Sequence, residues 1–271
     1  SQHLENFASI VHHIPFDFVL VSGDEDITVP QDVRSYESLL SAPRLLRWHT
    51  QNLGVTPLGH LDHQKFRYLP IGLDLHTLYL RPNAVPSWGE PKNPIEQEVE
   101  LFQVARAAAP LRKRQPKILC NFHFTIPKSQ PWLDSIFHKE YSSHFRSDRD
   151  DAQDYFSQHE KIAYFQKDKL NRKESWQLTT QYAFVASPHG HGLDCHRTWE
   201  ALVLGSIPIV KTSSLDEMWA GLPVLVVQNW SDITHEMLMN TLEEFQDMSK
   251  MRLLEKKLRL QYWLNEISAL K

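Results

Sequence analysis

The sequence predicts an α/β protein built as two Rossmann-like domains that face each other across a cleft. Three observations carry that prediction. Short apolar runs of strand length alternate with stretches of helical period, the pattern of parallel strands joined by crossover helices. A proline-studded stretch at 82–94, PNAVPSWGEPKNP, interrupts this alternation and divides it into two series. Polar loops follow several of the apolar runs, and ligands of such sheets bind outside the carboxyl ends of strands.

Residues 4–13 read as a short amphipathic helix. The run 16–22, FDFVLVS, is apolar and β-branched toward its end, so it reads as a buried strand; the acidic loop Gly23-Asp24-Glu25-Asp26 follows. The run 44–50, RLLRWHT, fits either a strand or a helix end. A further strand-like run, FRYLPI at 66–71, leads into a second polar loop, Gly72-Leu73-Asp74-Leu75-His76-Thr77. Residues 95–109 have helical composition and period, and Pro110 stops them, which puts the domain boundary near 110. Beyond it, strands are predicted at 117–122, 162–165, 182–186, 207–210 and 222–227. Helices are predicted at 148–159, 175–180, 198–204, 233–245 and 248–270. In the first of these, Ala152, Tyr155, Phe156 and His159 recur at three-to-four spacing on one face.

Composition removes several functional classes. With 271 residues, 41% hydrophobic and 23% charged, the chain has the balance of a packed globular protein. A net charge of −4 and a pI near 6.4 argue against a general nucleic-acid binder, which needs a basic face. Arg112-Lys113-Arg114 reads as solvated loop charge. Cys120 and Cys195 are the only cysteines, which excludes a disulfide scaffold and a four-cysteine zinc site. A reducing, cytoplasmic location is the simpler expectation. No apolar run approaches the ~20 residues of a membrane span, so no integral membrane segment is expected. Glu5, His12 and His13 break the pattern of a signal peptide.

The chemistry concentrates at 187–210, SPHGHGLDCHRTWEALVLGSIPIV. A glycine-rich turn runs into a helix, the helix ends at a glycine, and a buried strand follows. Unpaired amides and the dipole at a helix N-terminus favour an anion. Gly190 and Gly192 are expected to let the backbone approach a ligand and to adopt positive φ. Arg197 falls in the first helical turn, where a cation opposes the dipole, so a bound phosphate is a reason to keep it there. His196 is placed to donate to the same anion. Glu200 lies on the same helical face, where its carboxylate suits ribose hydroxyls. The plain alternative is a surface Arg197–Glu200 ion pair beside an ordinary turn. A metal reading groups His189, His191, Cys195 and His196, but their spacing matches no common zinc motif and HExxH is absent, so no metal is assigned.

The run FVASPHGHGLDCHRTWEALVLGSIPIV, followed by LPVLVVQNWSDIT, resembles the donor-binding segment of exostosin-like glycosyltransferases of GT-B architecture. The likeness spans 117–234 and is looser before that; in size it is similar to the chlorovirus-encoded β-xylosyltransferases of this kind. The resemblance implies inverting, metal-independent transfer from a nucleotide sugar such as UDP-xylose to a glycan hydroxyl. It needs no cofactor beyond that donor. For a virus-encoded member the location is host cytoplasm. Residues 1–110 would hold the oligosaccharide acceptor and 111–250 the nucleotide sugar; a C-terminal helix at 251–271 would pack back on the first domain. By position, Arg197 would bind the diphosphate, Glu200 the ribose, and the backbone of Gly192, Leu193 and Asp194 the phosphates. Ser187, His189 and Gly190 would line the same pocket with His196. Asn121 and Arg149 would complete the nucleotide side, Arg149 being preferred to Arg146 on helical spacing; its alternative is a solvated side chain among Asp148, Asp150 and Asp151.

Inverting transfer also needs a base on the acceptor side. Asp74 is the first choice, with helix capping as its structural alternative. His76 is a second candidate, and Asp24 and Asp26 are further ones. Trp48, His49, Gln51 and Asn52 are candidates for the acceptor cleft. Two rival functions stand beside the transferase: a non-catalytic carbohydrate- or nucleotide-binding module, and a metal-dependent hydrolase using His189, His191 and His196.

Overall fold

The computed structural model describes residues 2–55, 64–80, 88–122, 143–190, 192–245 and 252–269, with side chains from 148 onward in the fourth stretch. Helix α1 (Gln2–Ala8) precedes strand β1 (Phe18–Ser22), helix α2 (Tyr36–Ser41), strands β2 (Leu45–Thr50) and β3 (Phe66–Tyr68), and helices α3 (Thr77–Leu80) and α4 (Pro94–Ala107). Then come β4 (Gln115–Cys120), α5 (Ser143–Ser157), β5 (Ala163–Phe165), α6 (Arg172–Thr179), β6 (Tyr182–Ala186), α7 (His196–Val203) and β7 (Ile207–Lys211). The chain continues through α8 (Asp216–Trp219), β8 (Leu225–Val227), α9 (His235–Phe245), α10 (Arg252–Lys257) and α11 (Leu260–Ser268).

The protein is mixed α/β with two parallel sheets. One has three strands in the order β1-β2-β3, the other five in the order β5-β4-β6-β7-β8. The central strand β6 is apolar throughout and all five of its residues are buried, as a sheet covered on both faces requires. In the larger sheet β4 pairs with β5 on one side and β6 on the other, both parallel. The chain therefore reverses its direction of winding at β4. The crevice between the carboxyl ends of β4 and β6 is the switch point where open α/β sheets take ligands.

Most predicted elements form within a few residues of their expected places. The ambiguous run at 44–50 is the strand β2. The expected helix at 4–13 is shorter, because α1 ends at Ala8 and a separate 3₁₀ turn covers Val11–His13. The expected helix at 248–270 divides into α10 and α11, with Arg259 extended at φ −101° and ψ 133° between them. The sequence reading missed α2, α3 and α8, which have six, four and four residues, too few for periodicity to register.

The two sheets share one hydrophobic core. Leu39, Trp48, Leu53 and Phe66 of the first half belong to the same buried cluster as Trp199, Leu202, Trp219 and Trp263 of the second. Helix α4 adds a second bridge, packing Leu101 and Val104 against Trp176 and Leu204. The far face of the larger sheet has its own cluster, including Ala152 and Phe156 of α5 and Leu238 of α9. Among the described residues, no helix is long and apolar enough to cross a membrane.

Candidate functional site at the β4–β6 switch point

The loop from Ser187 to Cys195 hangs from β6 and feeds α7. Its backbone is held from several sides. Asp148 and Arg149, adjacent on α5, clamp both polar groups of one peptide unit pair: Asp148 Oδ2 accepts the His189 N–H at 2.8 Å, and Arg149 Nε donates to His189 O at 3.1 Å. From the first half, Asn52 Oδ1 accepts the Asp194 N–H at 2.8 Å. Asp194 Oδ2 accepts from Ile71 N at 2.7 Å, and Trp199 Nε1 donates to the same carboxylate at 3.0 Å. His196 Nδ1 donates to Gly72 O at 2.8 Å. The loop is thus built by both halves of the chain.

A cavity of about 440 Å³ opens beside it, within the usual range for small-molecule sites. Arg149 and Arg197 both line this cavity. Arg197 Nε donates to Asn121 Oδ1 at 3.3 Å, Asn121 Nδ2 donates to Ser175 Oγ at 3.1 Å, and the guanidinium lies 5.9 Å from the centre of the Phe122 ring. Among the described residues no carboxylate pairs with Arg149 or Arg197. Burial, then the neighbouring Arg149, lowers Arg197 to about 10. Two guanidinium groups side by side in a cavity wall favour an anion, with Glu200 acting on Arg197 electrostatically but in no ion pair with it. The N-cap of α7, Cys195, makes no side-chain cap bond, so the His196 and Arg197 amides have no side-chain cap from it, while the Thr198 amide donates to Cys195 O.

Opposite charge collects elsewhere on the same wall. Arg172, the first residue of α6, is buried and pairs with Asp74 Oδ2 at 3.3 Å and with Glu200 Oε1 at 2.7 Å. It lies 4.9 Å from the Trp176 ring centre and 5.7 Å from that of Trp88. Its Nε is buried without a hydrogen-bond acceptor. Burial alone would raise the Asp74 carboxyl, but Arg172 and the Thr77 amide outweigh it and hold Asp74 below the ordinary carboxylate range. Asp74 Oδ1 also accepts the Thr77 N–H at 3.0 Å, so Asp74 caps α3 while lining the cavity. His76 Nδ1 stands 3.2 Å from Asp74 Oδ1 with its side chain 43% exposed.

Of the residues expected at the site, Asp26, Asp74, Asn121, Arg149, Gly190, Gly192, Asp194, His196, Arg197 and Glu200 line the cavity. Asp24 lies outside the lining, exposed at φ +67°.

Several expectations are corrected. Ser187 is buried, with Oγ 2.8 Å from Thr198 Oγ1, and does not face the cavity. His189 turns away to within 3.6 Å of Asp148, and burial pushes its pKa down. The Leu193 side chain packs in the shared core, which leaves the expectation for its backbone untouched. Asp194 is consumed by Ile71 and Trp199, and burial pushes its carboxyl up to about 7, so neither its side chain nor its amide is free for phosphate. Glu200 accepts from Arg172 and, at 3.2 Å, from Trp176 Nε1, and not from Arg197, so the expected Arg197–Glu200 surface ion pair does not form. His49 is buried at the centre of the first sheet, away from any cleft. Trp48 packs against Phe66 with ring centres 5.1 Å apart and planes tilted by 36°, Gln51 Oε1 holds the Asp24 amide at 2.9 Å, and Asn52 holds the loop; none lines the cavity.

His189 and His196 face different partners, and His191 lies outside the described residues, as do the Arg146 side chain and 82–87 of the proline-rich stretch. Gly190 is outside the left-handed region; the reason for glycine is space. A Cβ there would meet Arg149 Nη2 at 2.9 Å, and one on Gly192 would meet Asn52 Nδ2 at 2.6 Å. Arg172 and Trp176 were missed. The signal that singles out Arg197, an arginine in a first helical turn, applies equally to Arg172. No family model and no curated protein matches this chain.

Proposed function

We propose that this chain is an inverting glycosyltransferase of GT-B type that moves a sugar, xylose from UDP-xylose in the first instance, to a glycan hydroxyl. The observation that carries the reading is the pair Arg149 and Arg197, side by side on a cavity at the β4–β6 switch point, neither in an ion pair with a described carboxylate. In this reading the diphosphate sits against these guanidinium groups and the first turn of α7. They neutralise it as the bond between the sugar carbon and the phosphate oxygen breaks. Asp74, kept ionised by Arg172, takes the proton from the acceptor hydroxyl as that oxygen bonds to the same carbon from the opposite face. Glu200 fixes Arg172, and Asn121 fixes Arg197. The choice of xylose rests on the resemblance alone.

Thermal melts with a panel of nucleotide sugars, in chelator, test this reading. A UDP-sugar at about 100-fold its Kd raises Tm by roughly 5 °C or more. Arg197→Ala abolishes the shift. Asp74→Asn retains it and loses about 10²–10⁴-fold in turnover. No shift with any nucleotide sugar sinks the proposal; a shift without UDP release from any acceptor makes the chain a binding module.

A further inference from the structure

The geometry points to a divalent-cation site, of the borderline-soft class that includes Zn²⁺, formed by Asp74, His76 and His196 at the cavity wall. Each residue offers one ligand atom, and these atoms all lie within 4.8 Å of one another. Two imidazoles and a carboxylate are a zinc donor set, and metal–ligand bonds of about 2.0–2.2 Å in a tetrahedron separate ligand atoms by about 3.4 Å. Asp74 Oδ1 and His76 Nδ1 already stand 3.2 Å apart, so small side-chain rotations complete the set.

His196 is presented in the required tautomer. A carbonyl oxygen can only accept, so the contact to Gly72 O places the proton on Nδ1 and leaves the Nε2 lone pair free. A backbone carbonyl on the far ring nitrogen is the usual support of a metal-binding histidine. The charge also fits. Arg172 beside Asp74 would by itself oppose a cation, but it is shared with Glu200, so the three groups together carry one net negative charge. Asp74 and His196 line the cavity while His76 is partly exposed to solvent. The cation thus enters from solvent past His76, and its fourth position faces the cavity.

This grouping differs from the His189, His191 and His196 cluster considered on spacing, and it does not depend on the transferase reading. If Asp74 is the base, the cation takes the lone pair that must accept the acceptor's proton, and zinc inhibits transfer.

Calorimetric titration of the untagged full chain with zinc chloride, in chelator-free buffer, tests the site. The wild type is expected to bind one equivalent in the micromolar range or tighter. His76→Ala and His196→Ala each weaken it about tenfold or more. Zinc raises the melting temperature of the wild type more than that of either variant at the same concentration. His76 is half-exposed, so His76→Ala keeps the test interpretable should His196→Ala misfold. Wild-type affinity in the His76→Ala protein, or no stoichiometric zinc on the wild type, overturns the site. Neither readout involves a nucleotide sugar, so its failure is distinct from failure of the transferase proposal.

Discussion

At the scale of single residues, the site and the sheet treat buried polar groups in opposite ways. Asp194 and Asp148 are buried but fully bonded, and they set the path of the glycine-rich loop. His49 is buried with neither ring nitrogen hydrogen-bonded. Burial, with help from Arg47 and Arg67, lowers its pKa to about 4. In the unfolded chain a histidine titrates near 6.5. The neutral ring therefore contributes stability that is complete above about pH 6.5 and is lost as pH falls toward 4, up to about 3 kcal/mol. Denaturant midpoints measured from pH 7 to pH 4 should fall more steeply for the wild type than for His49→Leu. Parallel curves would mean that His49 does not titrate as placed here.

At the scale of elements, helix caps decide where the chemistry points. Arg172 owes its position to the start of α6, where Asn171 Oδ1 accepts the Glu174 N–H at 2.9 Å and Glu174 returns the bond to the Asn171 amide. Helix α4 carries the same reciprocal cap through Asn93 and Glu96. Asn171→Ala should cost about 1 kcal/mol of stability. Because Arg172 is the first residue it caps, turnover should fall as well. Asn93→Ala should cost comparable stability with a smaller loss of turnover. Equal kinetic effects in the two variants would show that the cap on α6 holds the fold and not the site. These caps are legible in the sequence as Asn-x-x-Glu. The partners of the capped residue are not, since Asp74 and Glu200 come from different elements.

At the scale of the molecule, the shared core makes the two halves one folding unit. Trp263 of α11 meets Trp199 of α7 at 6.3 Å, within the cluster that also holds Trp48 and Phe66. Lys257 Nζ donates to Met218 O at 2.8 Å, and Arg47 donates to Ala269 O, so the C-terminal helices are tied to both halves. Trp263→Ala should cost about 3–5 kcal/mol. Scanning calorimetry of wild type and variant should each show one transition with equal calorimetric and van't Hoff enthalpies. Two resolved transitions would refute a shared core.

The sequence by itself determined the parallel α/β class, the order of most strands and helices, and the segment from which Arg197 projects. These are local matters: apolar runs, helical period and glycine turns act over a few residues. Only the tertiary structure decided which polar side chains face the cavity and which are consumed in holding it. Asp194, His189 and Ser187 read like Arg197 in the sequence, yet Ile71, Asp148 and Thr198 claim them. A buried polar group must be satisfied by whatever the fold brings beside it, and partners on other elements, 11 to 123 residues away in these three cases, leave no local trace.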